Sequence, residues 1–153
     1  MNVPRASRQQ LEQNAAGVVA GLRSVAGAVE ASTLDGALVE LVKIRVSQIN
    51  DCAYCVQFHV NKAREINLSQ QKLDHLAAWQ NSDRFSEGER AALQWAEVLT
   101  RTPTPRLTED AWRNLERHFD TSQRIHLTAA IGLMNAWNRV MAGLNIEPPE
   151  ARA

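Results

Sequence analysis

Cys52 and Cys55, the two cysteines of this 153-residue chain, stand in a single Cys-x-x-Cys, with His59 four residues beyond the second. One short-range pair cannot be a disulfide framework, so the spacing points to redox chemistry or metal binding before stapling. Asn50 or Asp51 is a suitable N-cap for a new helix, which would place both cysteines in its first turn. Cys52, Cys55 and His59 then share one helix face. Free N–H groups and the positive helix end favour thiolate there, and a neighbouring imidazole takes or relays a proton. Thiolate is the nucleophile of both peroxide reduction and disulfide exchange. Glu40 lies twelve residues before Cys52. Folding its helix back on the next would bring the carboxylate to His59, orienting the ring and raising its basicity. The rival is zinc, held by Cys52, Cys55 and His59 with His75 as a fourth ligand. Three ligands within two turns of one helix make a poor tetrahedral cage.

The elements that must hold these residues are helical. Val42, Ile44 and Val46 alternate with Lys43 and Arg45 as a short strand would. The helical face Leu34, Leu38, Leu41, Val42, Arg45 and Ile49 runs longer and is preferred. Arg45 falls near that apolar face, where Glu40 or a subunit interface would hold its charge. The stripe Leu11, Ala15, Val18, Leu22, Val25 and Val29 is loosened by Gly17, Gly21 and Gly27, which predicts one or two weak helices. Ser69 is an N-cap flanked by the staple pair Leu68 and Leu73, and Ser86-Glu87-Gly88-Glu89 has the form of a capping box. Thr102-Pro103-Thr104-Pro105 is a breaker, after which Thr108 caps a short helix with Trp112, Leu115 and Phe119. From about residue 122 to 144 the chain is apolar on several faces, as a central or subunit-shared helix is. The tail beyond, with Pro148 and Pro149, is expected to fray. The whole is one all-α domain over residues 1–153: an N-terminal helical segment (1–30), a core (34–144) and a tail (145–153).

Composition narrows the function classes. With 17 basic and 17 acidic residues the formal net charge is zero, which argues against a nucleic-acid partner. The apolar run from Ala15 to Leu22 is too short to span a bilayer, and no export signal is read at the N-terminus. The expected location is cytoplasmic, with no membrane partner. Trp79, Trp95, Trp112 and Trp137 read as core or interface anchors and not as a cofactor box. His75, His118 and His126 read as surface, interface or half-buried residues, and Tyr54 and Phe58 as the lining of a substrate approach. No cofactor is expected.

Glu40-x11-Cys52-x2-Cys55-x3-His59 resembles the signature of the AhpD-like alkylhydroperoxidases, in the carboxymuconolactone decarboxylase superfamily. Ser47-Gln48-Ile49-Asn50, Glu89 to Leu93 with Trp95-Ala96-Glu97, and Asn135-Ala136-Trp137-Asn138-Arg139 extend the likeness over most of residues 34–140. The resemblance implies an all-helical homo-oligomer, a trimer or hexamer, that reduces organic hydroperoxides in antioxidant defence. It implies Cys55 as the peroxidatic thiol, Cys52 as the resolving one, and Glu40 with His59 as the proton relay. It also implies an external dithiol or a lipoyl-type protein as reductant. Better-known members carry a second histidine where this chain has Tyr54, and a phenol with pKa about 10 is a poor base at neutral pH. The helix start alone leaves the cysteine roles open, since the first cysteine of such a pair often has the lower pKa. A redox-sensing or disulfide-exchange protein on the same scaffold is the alternative, and a decarboxylase-like activity ranks lowest.

Overall fold

Residues 3–101 and 105–152 are described by a computed structural model, and all regular structure among them is helical. Helix α1 (Arg8–Asn14) opens on a capping box between Ser7 and Gln10, and α2 (Ala16–Glu30) follows at once. Two helices form where one or two are expected; Leu11 and Val29 of the expected stripe are buried, but its middle is out of phase. Ala15 breaks the helical path at φ −136° and ψ 40°. Val19 therefore turns inward, while Val18 and Val25 of the expected stripe are 56% and 42% exposed.

Helix α3 (Gly36–Ile49) begins at Asp35, whose side chain accepts from the Leu38 N–H. The helical period prevails over the short alternation. Every residue from Leu38 to Ile44 is buried, because α3 lies among α4 (Ala53–Glu65), α6 (Glu87–Thr100) and α8 (Thr121–Gly143). Val39, Val42 and Val46 join a core with Leu127, Ile131 and Met134 of α8. Leu41 and Ile44 join a second with Leu76, Trp79, Phe85 and Leu93. Each such side chain contributes roughly 1.5–3 kcal/mol by leaving water. Glu40 and Lys43 are thus polar residues in the most enclosed helix of the fold.

Ser69 is the N-cap of α5 (Gln70–His75), although its side chain makes no capping bond, and a 3-10 segment continues through Leu76–Asn81. The capping box at Ser86 and Glu89 starts α6 as expected. Helix α7 (Pro105–Glu116) starts earlier than expected, with Thr108 inside it. Proline is favoured at a first helical position, where no N–H is needed, so Pro105 begins this helix. The rest of the expected break, residues 102–104, lies outside the described residues. Helix α8 occupies the span predicted for it.

Two further expectations are corrected. Arg45 does not meet Glu40; it reaches Glu97 on α6 at 2.7 Å. Five residues of helix turn it away from Glu40, and Glu97 also accepts from the Trp79 indole at 2.8 Å. The tail does not fray. Ile146 is buried, and Asn61 on α4 donates to the Glu150 carbonyl and accepts from the Arg152 N–H. One amide side chain thereby pins the extended tail at two backbone points. No helix among the described residues is long and apolar enough to cross a membrane.

Candidate active site

The turn between α3 and α4 sets the cysteines. Asn50 closes α3, and Asp51 adopts φ 52°, a left-handed conformation that Asp tolerates better than most residues. Such a residue cannot serve as N-cap, which needs an extended backbone. The cap passes to Cys52 itself, one residue later than expected. Its sulfur accepts the Cys55 N–H at 3.4 Å, so Cys52 precedes the helix and Cys55 sits in its first turn. The two are joined as a disulfide, with Cα atoms 5.4 Å apart, and both are buried.

The turn is clamped from α8. Asn50 Nδ2 donates to the side-chain oxygens of Asn135 and Asn138, each at 2.9 Å. Asn138 donates onward to Ser47 Oγ at 3.1 Å, and Arg139 donates back to Asn50 Oδ1 at 3.2 Å. This gives a physical role to the Ser47–Asn50 and Asn135–Arg139 blocks. They fix the backbone that carries the sulfurs.

Glu40 and His59 meet as predicted, with Oε2 2.7 Å from Nδ1. Lys43, one turn along α3, lies 3.2 Å from the other carboxylate oxygen. Sequence reasoning missed Lys43, because a helical lysine ordinarily reads as solvated; its spacing of three from Glu40 was the available signal. Burial pushes the Glu40 carboxyl up, but the His59 hydrogen bond and the electrostatic pull of His59 and Lys43 on the ionised form prevail and hold it below the ordinary value. Burial is the largest effect on His59 and lowers its pKa from 6.5, with the Glu40 bond opposing and Lys43 reinforcing the shift. The pair is therefore carboxylate and neutral imidazole. A neutral ring that donates from Nδ1 to a carboxylate keeps its Nε2 lone pair to accept a proton.

Cys55 and His59 line one cavity of about 340 Å³, within the roughly 300–1,000 Å³ typical of small-molecule sites. Its walls are largely apolar and include Phe58, Leu133, Met134, Trp137 and Met141. Tyr54 and Phe58 line it as expected, and the Tyr54 hydroxyl accepts from Arg8 on α1 at 2.7 Å. No local pattern in α1 or α2 signals that they line it with Arg8, Glu12, Arg23 and Glu30. Four cations, the two arginines with Lys43 and Lys62, stand against those two carboxylates. Cys52 lines a separate open groove instead.

His75 is not brought to the site. It is exposed and bonded to Ser82, and no three His, Cys, Asp or Glu among the described residues could share a metal ion. His118 is exposed, and His126 bonds back to the Ser122 carbonyl. Trp79 and Trp95 are core residues, whereas the half-buried Trp137 faces the cavity.

Residues 16–98, which carry Glu40, both cysteines and His59, match the model of the carboxymuconolactone decarboxylase family. The chain belongs to this family. Over 109 residues it is 36% identical to the uncharacterized protein YdfG of Bacillus subtilis (strain 168), covering 71% of this chain and 74% of YdfG. A crystal structure of ATU0492 from Agrobacterium tumefaciens superposes with TM-score 0.89 at 30% identity, covering 97% of this chain and 99% of the other. ATU0492 is a protein of unknown function for which an AhpD antioxidant-defence role has been suggested. A cysteine variant of the debrominase Bmp8, in complex with 2,3,4-tribromopyrrole, shares the fold at TM-score 0.80 and 18% identity, covering 97% of this chain and 91% of its own. Within the carboxymuconolactone decarboxylase family this member is AhpD-like.

Proposed function

We propose that this protein is a thiol-dependent peroxidase that reduces organic hydroperoxides. The observation that carries the reading is that Cys55 shares a cavity with His59, whose ring Glu40 holds at 2.7 Å. His59 Nε2 takes the Cys55 proton, and the thiolate attacks the terminal oxygen of the hydroperoxide. The O–O bond breaks, and the alkoxide leaves as alcohol on receiving the proton from His59. Cys55 is now a sulfenic acid. Cys52 attacks its sulfur, water departs, and the disulfide forms. The Cys55 N–H that points at Cys52 Sγ favours Cys52 as the thiolate for this second attack. An external dithiol then returns both sulfurs to thiols.

The cavity supports an organic substrate over a fully hydrated one, since apolar side chains form most of its wall. The homo-oligomeric state expected from the resemblance belongs to the same proposal. Ile125 on α8 is 60% exposed and is an apolar side chain that an interface would cover. Sedimentation velocity reads the assembly.

Turnover of cumene hydroperoxide with a dithiol tests the activity. Wild type is expected to turn over, Cys55→Ser and Cys52→Ser to be inactive as catalysts, and His59→Gln to lose about 10²–10⁴-fold, as removal of a general base does. Turnover by Cys55→Ser at the wild-type rate would remove the proposal.

A further inference from the structure

The two cysteines of the disulfide line different spaces. Cys55 lines the cavity and Cys52 does not; Cys52 lines the more open groove and Cys55 does not. The groove, about 490 Å³, lies along the junction of α3 and α4, bounded by Gln48, Asp51, Val56 and Gln57 with Pro148 from the pinned tail. Thiol–disulfide exchange proceeds by attack of a thiolate on one sulfur while the other departs. The incoming thiolate approaches in line with the breaking bond, so attack on Cys52 comes from the side away from Cys55.

The charges on the two sides also differ. Four cations and two carboxylates line the cavity, whereas Asp51 is the one charged residue lining the groove. The Asp51 carboxylate disfavours an anionic thiol compound on the groove side.

We propose that the groove beside Cys52 is the docking site of the reductant, a small uncharged dithiol, while the cavity beside Cys55 is kept for the oxidant. The proposal rests on the peroxidase reading for its place in a cycle. One thiolate of the dithiol attacks Cys52 Sγ, the Cys52–Cys55 bond breaks, and Cys55 leaves as thiolate and is protonated. The second thiol of the reductant attacks its own mixed-disulfide sulfur and releases Cys52. Two electrons pass from the dithiol, which becomes a cyclic disulfide, and two protein thiols result. Peroxide and reductant then need not exchange places within the cavity.

The test reads the reductive step alone. The disulfide is formed with diamide, and its reduction by dithiothreitol is compared with that by dianionic dimercaptosuccinate, each normalised to its rate with hydroxyethyl disulfide. The neutral dithiol is expected to be faster by about tenfold at low salt, the lower end of electrostatic steering. Asp51→Asn should shrink that gap, and Asn suits the left-handed backbone there. Gln57→Trp should slow both dithiols severalfold by filling the groove. Ala53→Trp, at an exposed position lining the same groove, does so independently should the first variant fail to fold. A preference for the dianion, or reduction undisturbed by the filled groove, overturns the proposal. Because diamide makes the disulfide, a protein that consumes no peroxide still gives this result, so the two proposals fail separately.

Discussion

His59 Nδ1 lies 2.7 Å from Oε2 of Glu40, a residue nineteen positions earlier on the neighbouring helix, and both side chains are about nine-tenths enclosed. Lys43 closes the far side of the carboxylate. The three form a line from ammonium to carboxylate to imidazole, ending at the cavity that Cys55 shares.

Glu40 and Lys43 act on His59 with opposite sign, since the carboxylate favours the imidazolium and the ammonium disfavours it. NMR titration of the ring should place wild-type His59 below 6.5. Glu40→Gln should lower it further, and Lys43→Met should raise it. Glu40→Gln should also slow Cys55 oxidation by about 10–100-fold, as loss of a ring-orienting carboxylate does in metal–histidine sites. Shifts in the same direction would contradict the assigned arrangement.

Stability should fall on acidification in two stages. His59 has a folded pKa below its unfolded value, so between the two the unfolded chain binds the extra proton. Its contribution is complete above about pH 6.5 and is lost as pH falls through the lowered value. Glu40, also lowered, contributes above about pH 4.5 and loses that contribution as pH falls through its own folded value. Urea midpoints across pH 2–8 measure this, and His59→Gln should remove the upper stage and diminish the lower one, because His59 helps to hold the Glu40 carboxyl down.

The clamp from α8 predicts a structural cost at the sulfurs. Asn138 is 1% exposed and bonds both Asn50 and Ser47. Asn138→Ala leaves their polar groups short of a partner and should cost about 1–3 kcal/mol. Denaturant melts measure the loss, and reduction of the disulfide should speed up as the turn loosens.

Glu97 provides the contrast. It is buried and holds Arg45 and the Trp79 indole, and it makes no bond to Glu40, Lys43 or His59 among the described contacts. Glu97→Ala leaves Arg45 unpaired and should cost roughly 3–5 kcal/mol. The His59 titration should stay where it is, which separates a structural ion pair from the functional one.

The legible parts of the site were those written within one or two helical turns. Cys55 and His59 are neighbours on α4 by spacing, and Glu40 was reachable because only a tight turn separates its helix from theirs. The N-cap was misplaced because Asn50 and Asp51 are the better capping residues by type, yet Asp51 takes positive φ. Lys43 and Arg45 were misread for a shared reason. A cation on a helix says nothing of which neighbour surrounds it, and α3 is enclosed on nearly all sides. The rim supplied by Arg8 and Arg23 depends on how α1 and α2 pack across the core, which local periodicity does not specify. The pinned tail likewise depends on Asn61, 89 residues before Glu150.

The central claim is that Cys55 is the sulfur that meets the peroxide. Its most direct measurement is sulfenic-acid trapping with dimedone in single-cysteine variants after one equivalent of cumene hydroperoxide, located by peptide mass spectrometry. Cys52→Ser should carry the adduct on Cys55, formed at close to the wild-type oxidation rate, while Cys55→Ser should carry almost none. An adduct that forms rapidly on Cys52 in Cys55→Ser, with Cys55 inert in Cys52→Ser, would contradict the assignment and reverse the roles of cavity and groove.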